Sequence, residues 1–174
     1  MKIHVIILRG AQGSGKSTFV HDFNELLGTT EVLYTFSADA FFLDSKGNYH
    51  FDITKIGAAH LKCYADYKDI LGNVNVDWLS MSHCYLVVDN TNCDPYEIAP
   101  YIMEANLRKV DSVSIVTCTG EYRNVHDVPE KQVEAKRQQI ARTHMPFHWR
   151  EFMTPTAIPQ EVHDRIHKVK REET

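Results

Sequence analysis

The chain has 174 residues, of which 43% are apolar and 24% charged, with a formal net charge of −4. That is enough chain to bury one core without disulfide staples, and no apolar stretch approaches the roughly 20 residues a spanning helix needs. The negative net charge speaks against a long footprint on a nucleic-acid duplex.

In chain order, Ile3 to Leu8 is a continuous apolar run, the pattern of a strand buried on both faces. The glycine loop that follows has no small-residue cleavage site, so a secretory leader is not expected. Ser14 to Leu27 has helical spacing, with Phe19, Val20, Phe23, Leu26 and Leu27 on one side and Gly28 as its stop. Glu31 to Ser37 predicts a second strand, and Lys46-Gly47-Asn48 a turn. Ile53 to about Leu71 predicts a long helix whose apolar side carries Ile56, Ala59, His60, Cys63, Tyr64, Tyr67, Ile70 and Leu71. The stretch from Gly72 to Ser82, with Val74, Val76, Trp78 and Leu79, fits either more helix or a loop.

Cys84 to Val88, ending at Asp89, predicts a third buried strand. Pro95 to about Leu107 predicts a helix with proline in its first turn. Ser112 to Cys118 predicts a fourth strand, and Glu130 to about Thr143 a charged helix that Met145-Pro146 ends. Beyond Phe152 the chain carries Pro155 and Pro159 and then a short basic amphipathic segment, Glu161 to Lys170. Strands alternating with helices imply an α/β fold with a parallel sheet. The domain is expected to span 1–152, with 153–174 as a tail.

The four cysteines, Cys63, Cys84, Cys93 and Cys118, lack C-x-x-C spacing. They are expected to be reduced, buried thiols of a cytoplasm-like compartment. From Pro129 to Arg150 the bases Lys131, Lys136, Arg137, Arg142 and Arg150 outnumber Glu130 and Glu134, a local net charge of +3. Such a segment suits phosphate contacts at one site, and equally a solvated helix face. His144 and His148 lie in it, but they follow a helix breaker without an acidic third ligand, so no metal site is expected there.

Gly10-Ala-Gln-Gly-Ser-Gly15-Lys16-Ser17 matches G-x-x-x-x-G-K-[ST] at every fixed position, between a buried strand and an amphipathic helix. Glycines let backbone N–H groups approach phosphate oxygens without a Cβ in the way. Gly10, Gln12, Gly13, Ser14, Gly15, Lys16, Ser17 and Thr18 are therefore expected to cradle a triphosphate, Lys16 at the β- and γ-phosphates and Ser17 on Mg²⁺. No guanine-specifying N-K-x-D is present, which leaves a compact kinase-like module.

The second strand ends Ser37-Ala38-Asp39-Ala40-Phe41-Phe42. In a parallel sheet, ligands bind at the carboxyl ends of the strands, so Asp39 is placed to accept the proton of an attacking hydroxyl. By residue type alone it is as well a helix N-cap. The third strand ends Asp89-Asn90-Thr91-Asn92, which suits Mg²⁺ binding by Asp89 and orientation of an acceptor by the polar residues after it. A capped turn before the Pro95 helix accounts for the same residues. Phe41, Phe42, Tyr49 and Phe51 could stack on bases or enter the core.

These blocks, taken with Ser-x-Asp-x-Phe-Phe, Gly47-x-Tyr-x-Phe-Asp52, Ala59-His60, Asp89-Asn-Thr-Asn92 and Arg123-Asn-x-His126-x-Val-Pro129, resemble the P-loop kinase domain of polynucleotide 5′-hydroxyl kinases. The branch they resemble is that of NEDD4-binding-protein-2-like proteins and phage AAA-type P-loop kinases, from Met1 to about Thr143. The resemblance implies a three-layer fold with a five-stranded parallel sheet and a short helical lid, about 121–145. It further implies ATP as donor, Mg²⁺, and a DNA or RNA 5′-hydroxyl as acceptor. It gives Asp39 the role of general base. By their positions after Asp39 and Asp89, Phe42, Thr91 and Asn92 are expected on the acceptor side. Arg123 and Asn124 would hold the nucleotide, and Arg123, Arg137 or Arg142 the transferring phosphate. The chain departs from the pattern in a shortened stretch after Cys118 and in Asp127 after His126.

Two other readings fit the same residues. One keeps phosphoryl transfer but changes the acceptor to a nucleotide, a small alcohol or a hydroxymethylated base in DNA. The other is a nucleotide-binding adaptor with little turnover.

Overall fold

The computed structural model describes residues 1–74, 80–122 and 128–167. The apolar runs became strands β1 (Lys2–Arg9), β2 (Glu31–Phe36), β3 (His83–Asp89) and β4 (Ser112–Thr117), all parallel, in the order β2-β3-β1-β4. Because successive side chains of a strand leave opposite faces, Val5 and Ile7 of β1 join Leu86 and Val88 of β3 in one core. Ile6, Leu8 and Val87 join a second core on the other face. A sheet buried on both faces is why these runs are apolar throughout instead of alternating.

Helices α1 (Lys16–Glu25), α2 (Ile56–Asn73), α3 (Pro95–Leu107), α4 (Glu130–Arg142) and α5 (Gln160–Arg165) complete the α/β architecture. Phe19 and Phe23 of α1 pack with Val162 and Ile166 in the second core. Ala59, Cys63, Tyr67 and Leu71, one every four residues along α2, pack in the first with Ile98, Tyr101 and Ala105 of α3. His60, expected on the apolar side of α2, is exposed, because the buried stripe is that narrow i, i+4 row. All four cysteines are buried and unpaired. Among the described residues no helix is long and apolar enough to cross a membrane.

Among the described residues the sheet has four strands, not the five the resemblance implied. Where a fifth would pair with β4, the chain after α4 passes Pro146, Pro155 and Pro159. Val113 donates its amide to Thr154 O at 2.9 Å, but the amide of Thr156 turns to the Ser114 hydroxyl at 2.6 Å, and Pro155 has no N–H to give. A ladder cannot propagate through those partners. The segment still belongs to the same body: Ile166 O accepts the amides of Thr119 and Gly120 at 2.9 and 2.8 Å, and Arg165 pairs with Asp22 of α1 at 2.9 Å.

The chain leaves β1 for β2 on one side and leaves β3 for β4 on the other. The crevice at the carboxyl ends of neighbouring β1 and β3 is thus the topological switch point, where open α/β sheets bind ligands.

Candidate active site

β1 delivers the glycine loop into that crevice. A Cβ on Gly10 would lie 2.2 Å from Ser14 Oγ and 2.8 Å from the carbonyl oxygen of Cys118, so no other residue fits. Gly13 (φ 72°) and Gly15 (φ 94°) take left-handed backbone that side chains resist. The loop is held on two sides: Gly10 N donates to Thr91 O at 3.0 Å, Tyr122 N to Gly13 O at 2.7 Å and Gly120 N to Ser14 O at 3.1 Å. Among the described residues, the Ser14 hydroxyl and Gln12 Oε1 are buried without a hydrogen-bond partner. Helix α1 begins at Lys16 rather than Ser14, because Gly15 in its left-handed turn is the cap. Ser17 is exposed in the first turn and Thr18 is half-buried.

Lys16 Nζ donates to the carbonyls of Gly10 and Ala11, both at 2.9 Å. Two of its three N–H groups are thereby fixed at the loop. Burial pulls this ammonium below the usual lysine range, opposed first by the negative charge of Asp89 and then, among others, by that of Asp39. Asp89 acts on the lysine from the end of β3, and Asp39 from the segment that follows β2. Asp89 is aligned with Leu8 in the β1–β3 register, two residues before the glycine loop begins at Gly10.

Asp39 lies on an exposed 3₁₀ turn, Ala38–Phe42, that continues β2. Its amide bonds Ser37 Oγ at 3.2 Å, so the N-cap of the turn is Ser37, and the Asp39 carboxylate is left to accept the Tyr49 hydroxyl at 3.2 Å. Burial, then the Asp39 charge, pushes the Tyr49 phenol up to about 12, so it stays a donor at neutral pH.

The polar residues after Asp89 are mostly structural. Asn90 is buried, with Oδ1 accepting Ala38 N at 2.8 Å. Asn92, expected on the acceptor side, is buried at φ 47° and donates Nδ2 to Leu8 O at 2.6 Å, so its amide supports the loop from beneath. Thr91 is half-buried and anchors Gly10 through its carbonyl. Phe42, also expected toward the acceptor, is a core residue at 6% exposure, whereas Phe41 and Phe51 are exposed at 41% and 55%.

Arg137 lies on α4 and pairs with Glu130 at 3.1 Å and Glu134 at 3.8 Å of its own helix. Arg142 is exposed, as are His144 and His148. Arg123, Asn124 and His126 lie outside the described residues. Among those described, no group of three or more His, Cys, Asp or Glu converges as a metal cluster.

No protein-family model matches the chain, and no curated protein matches it. A chain in the solved structure of the Pnkp1/Rnl/Hen1 complex is similar in structure. The TM-score is 0.49 with 19% sequence identity, over 77% of this chain and 38% of that one. This chain thus spans well under half the length of that neighbour.

One residue of the site carried no role in the sequence. Arg9 is buried at the end of β1 and donates to the carbonyls of Asn92 at 3.2 Å and of Cys93, Ile140 and Thr143 at 3.0 Å each. It ties the glycine-loop strand to the β3–α3 turn and to the carboxyl end of α4, where a cation meets the negative end of the helix dipole. The available signal was a charge directly after an apolar run, with no acid beside it in sequence.

The donor set fits a magnesium–triphosphate. A desolvated ammonium, a loop with no room for a Cβ at Gly10 and an orphaned buried Ser14 hydroxyl are the features a phosphate cradle would need. Ser17 Oγ and the Asp89 carboxylate are the hard oxygen donors Mg²⁺ takes.

Proposed function

We propose that the protein is a kinase that transfers the γ-phosphate of ATP to a hydroxyl, with the 5′-hydroxyl of a DNA or RNA strand as acceptor. The observation that carries this reading is the buried Lys16 ammonium, fixed to the Gly10 and Ala11 carbonyls and acted on by both Asp89 and Asp39. A desolvated cation and an exposed carboxylate near one crevice are what phosphate binding and proton removal would require. Mg²⁺, held by Ser17 and Asp89, would neutralise phosphate charge. Asp39 takes the proton of the acceptor hydroxyl as its oxygen bonds the γ-phosphorus and the bond to the β–γ bridging oxygen breaks, releasing ADP. Lys16 offsets the charge on the phosphate oxygens. The basic surface of α4 supports an acceptor that itself carries phosphates.

The test is an acceptor panel with γ-labelled ATP. Label is expected in a 5′-hydroxyl oligonucleotide and not in nucleosides, small alcohols or internal hydroxymethylated bases. Asp39→Asn is expected to lose about 10²-fold or more in rate with ATP affinity kept, as when a general base is removed. Transfer to a small alcohol alone would replace the acceptor, and transfer to no alcohol at all would leave a nucleotide-binding adaptor.

A further inference from the structure

The chain after Asp39 folds into a hydrogen-bonded hairpin that nothing in phosphoryl transfer itself requires. Leu43 and Tyr49 face each other as an antiparallel bridge, and His50 N donates to Phe42 O at 2.8 Å. The turn is closed by the Asp44 carboxylate, which accepts the amides of Lys46 at 2.8 Å and Asn48 at 2.9 Å, and by Gly47 at φ 83°. Two residues apart on extended chain, Tyr49 and Phe51 share a side. Their ring planes lie 14° apart with centroids at 6.4 Å. Beneath them the buried Phe42 contacts both, at 6.0 Å and 5.2 Å between centroids. The two rings are thus seated on the core, yet they stay 38% and 55% exposed. The hydroxyl of Tyr49 is at the same time the donor to Asp39.

Resting on the kinase reading above, we propose that the Tyr49–Phe51 face seats the unpaired terminal base of a nucleic-acid acceptor, with Tyr49 also positioning the Asp39 carboxylate. The occupant follows from the geometry. The Tyr49 ring is attached to the oxygen that touches Asp39, so the aromatic surface begins one phenol away from the proposed base. A nucleoside carries its 5′-hydroxymethyl group and its base on the same face of one sugar, flanking the ring oxygen, so the base is held close to the 5′-oxygen. With the oxygen at Asp39, the base falls over the next surface, and that surface is two rigid, near-parallel rings. Base-on-aromatic stacking tolerates any base, because each offers a π-face. A small alcohol would leave both rings wet. The last base of a blunt duplex would first have to leave its stack, so single-stranded or frayed ends are the preferred acceptors.

The test uses the full chain and a single-stranded oligonucleotide with 2-aminopurine as its 5′-terminal base. Binding is expected to quench its fluorescence, and Phe51→Ala to abolish the quench and raise KM for the oligonucleotide by about tenfold with kcat retained, within the range of one lost stacking contact. Wild type is expected to show the same KM rise with a 5′-terminal abasic nucleotide, to which Phe51→Ala then adds nothing. Phe51→Tyr should restore both quench and KM. Tyr49→Phe keeps the ring and loses the hydroxyl, so it should keep quench and KM while kcat falls. Equal phosphorylation of base-bearing and abasic ends, or phosphorylation without quench, would overturn the base seat while the kinase reading stands. Absence of both binding and transfer with every 5′-hydroxyl strand would overturn the two together.

Discussion

Asn90 holds the start of the Asp39 turn: its side-chain oxygen accepts the backbone amide of Ala38 at 2.8 Å, from the end of one strand to the end of its neighbour. The residue after Asp89 therefore sets the position of the proposed base. Asn90→Ala removes the acceptor of a buried amide, a change that costs about 1–3 kcal/mol. The expected result is a lowered denaturation midpoint together with a fall in kcat, while ATP-induced stabilisation persists. Unchanged kcat in a destabilised variant would show that the Asp39 turn holds its place without this bond.

Lys16→Met should separate binding from stability. A buried ammonium opposes folding through lost hydration, so the nucleotide-free variant is expected to melt no lower than wild type. The shift given by ATP, about 2.7 kcal/mol at a hundredfold excess over Kd, should vanish. Thermal melts with and without Mg²⁺-ATP measure both, and a retained ATP shift would remove Lys16 from the phosphate site.

At Gly10 the demand is for space. Gly10→Ala sets a methyl 2.8 Å from the carbonyl oxygen of Cys118, which is backbone and cannot swing aside. Overpacking of this kind costs about 1–3 kcal/mol. Gly47→Ala, where nothing lies within 4 Å of the added atom, meets only its φ of 83°. Urea midpoints of the two variants should rank Gly10→Ala as the less stable, and only that variant should weaken ATP binding.

The opposite end of the sheet predicts a pH effect. His4 bonds Ser112 Oγ and His83 Nδ1, both at 2.8 Å, and burial followed by the nearby His83 lowers its pKa below 6.5. The unfolded chain then binds the proton first as pH falls, so stability present above about pH 6.5 is lost below it. Urea midpoints at pH 7.5 and 5.5 should differ more in wild type than in His4→Gln. An equal difference in both would assign the acid sensitivity to other groups.

The strands, the glycine loop and its lysine were legible because each is written locally: apolar runs for a sheet covered on both faces, and fixed residue types for a loop pressed against backbone. The aromatic order after Asp39 was not. Phe42 was expected toward the acceptor and is buried, whereas Phe41 and Phe51, which fitted core and base stacking equally, are exposed. A 3₁₀ turn running into a hairpin has neither a period of 3.6 nor a sustained period of 2, so burial there is decided by tertiary packing. Asn92 was misplaced for a related reason: an amide after an acid suits a substrate as well as a buried carbonyl, and only the approach of Leu8 O distinguishes them. The missing fifth strand depended on where Thr156 turns its amide, a choice made by a hydroxyl 42 residues away.

The carbonyl of Ile166 receives Thr119 and Gly120, in the segment whose Gly120 and Tyr122 amides hold the glycine loop. The proposed phosphate cradle opens at residue 10, and part of its support comes from residue 166. On a ribosome the first piece of the site would wait for residue 166 to emerge before its support was laid. Closure over so long a loop is late and slow among folding events, so capacity to hold nucleotide should arise only after residue 166 has left the tunnel.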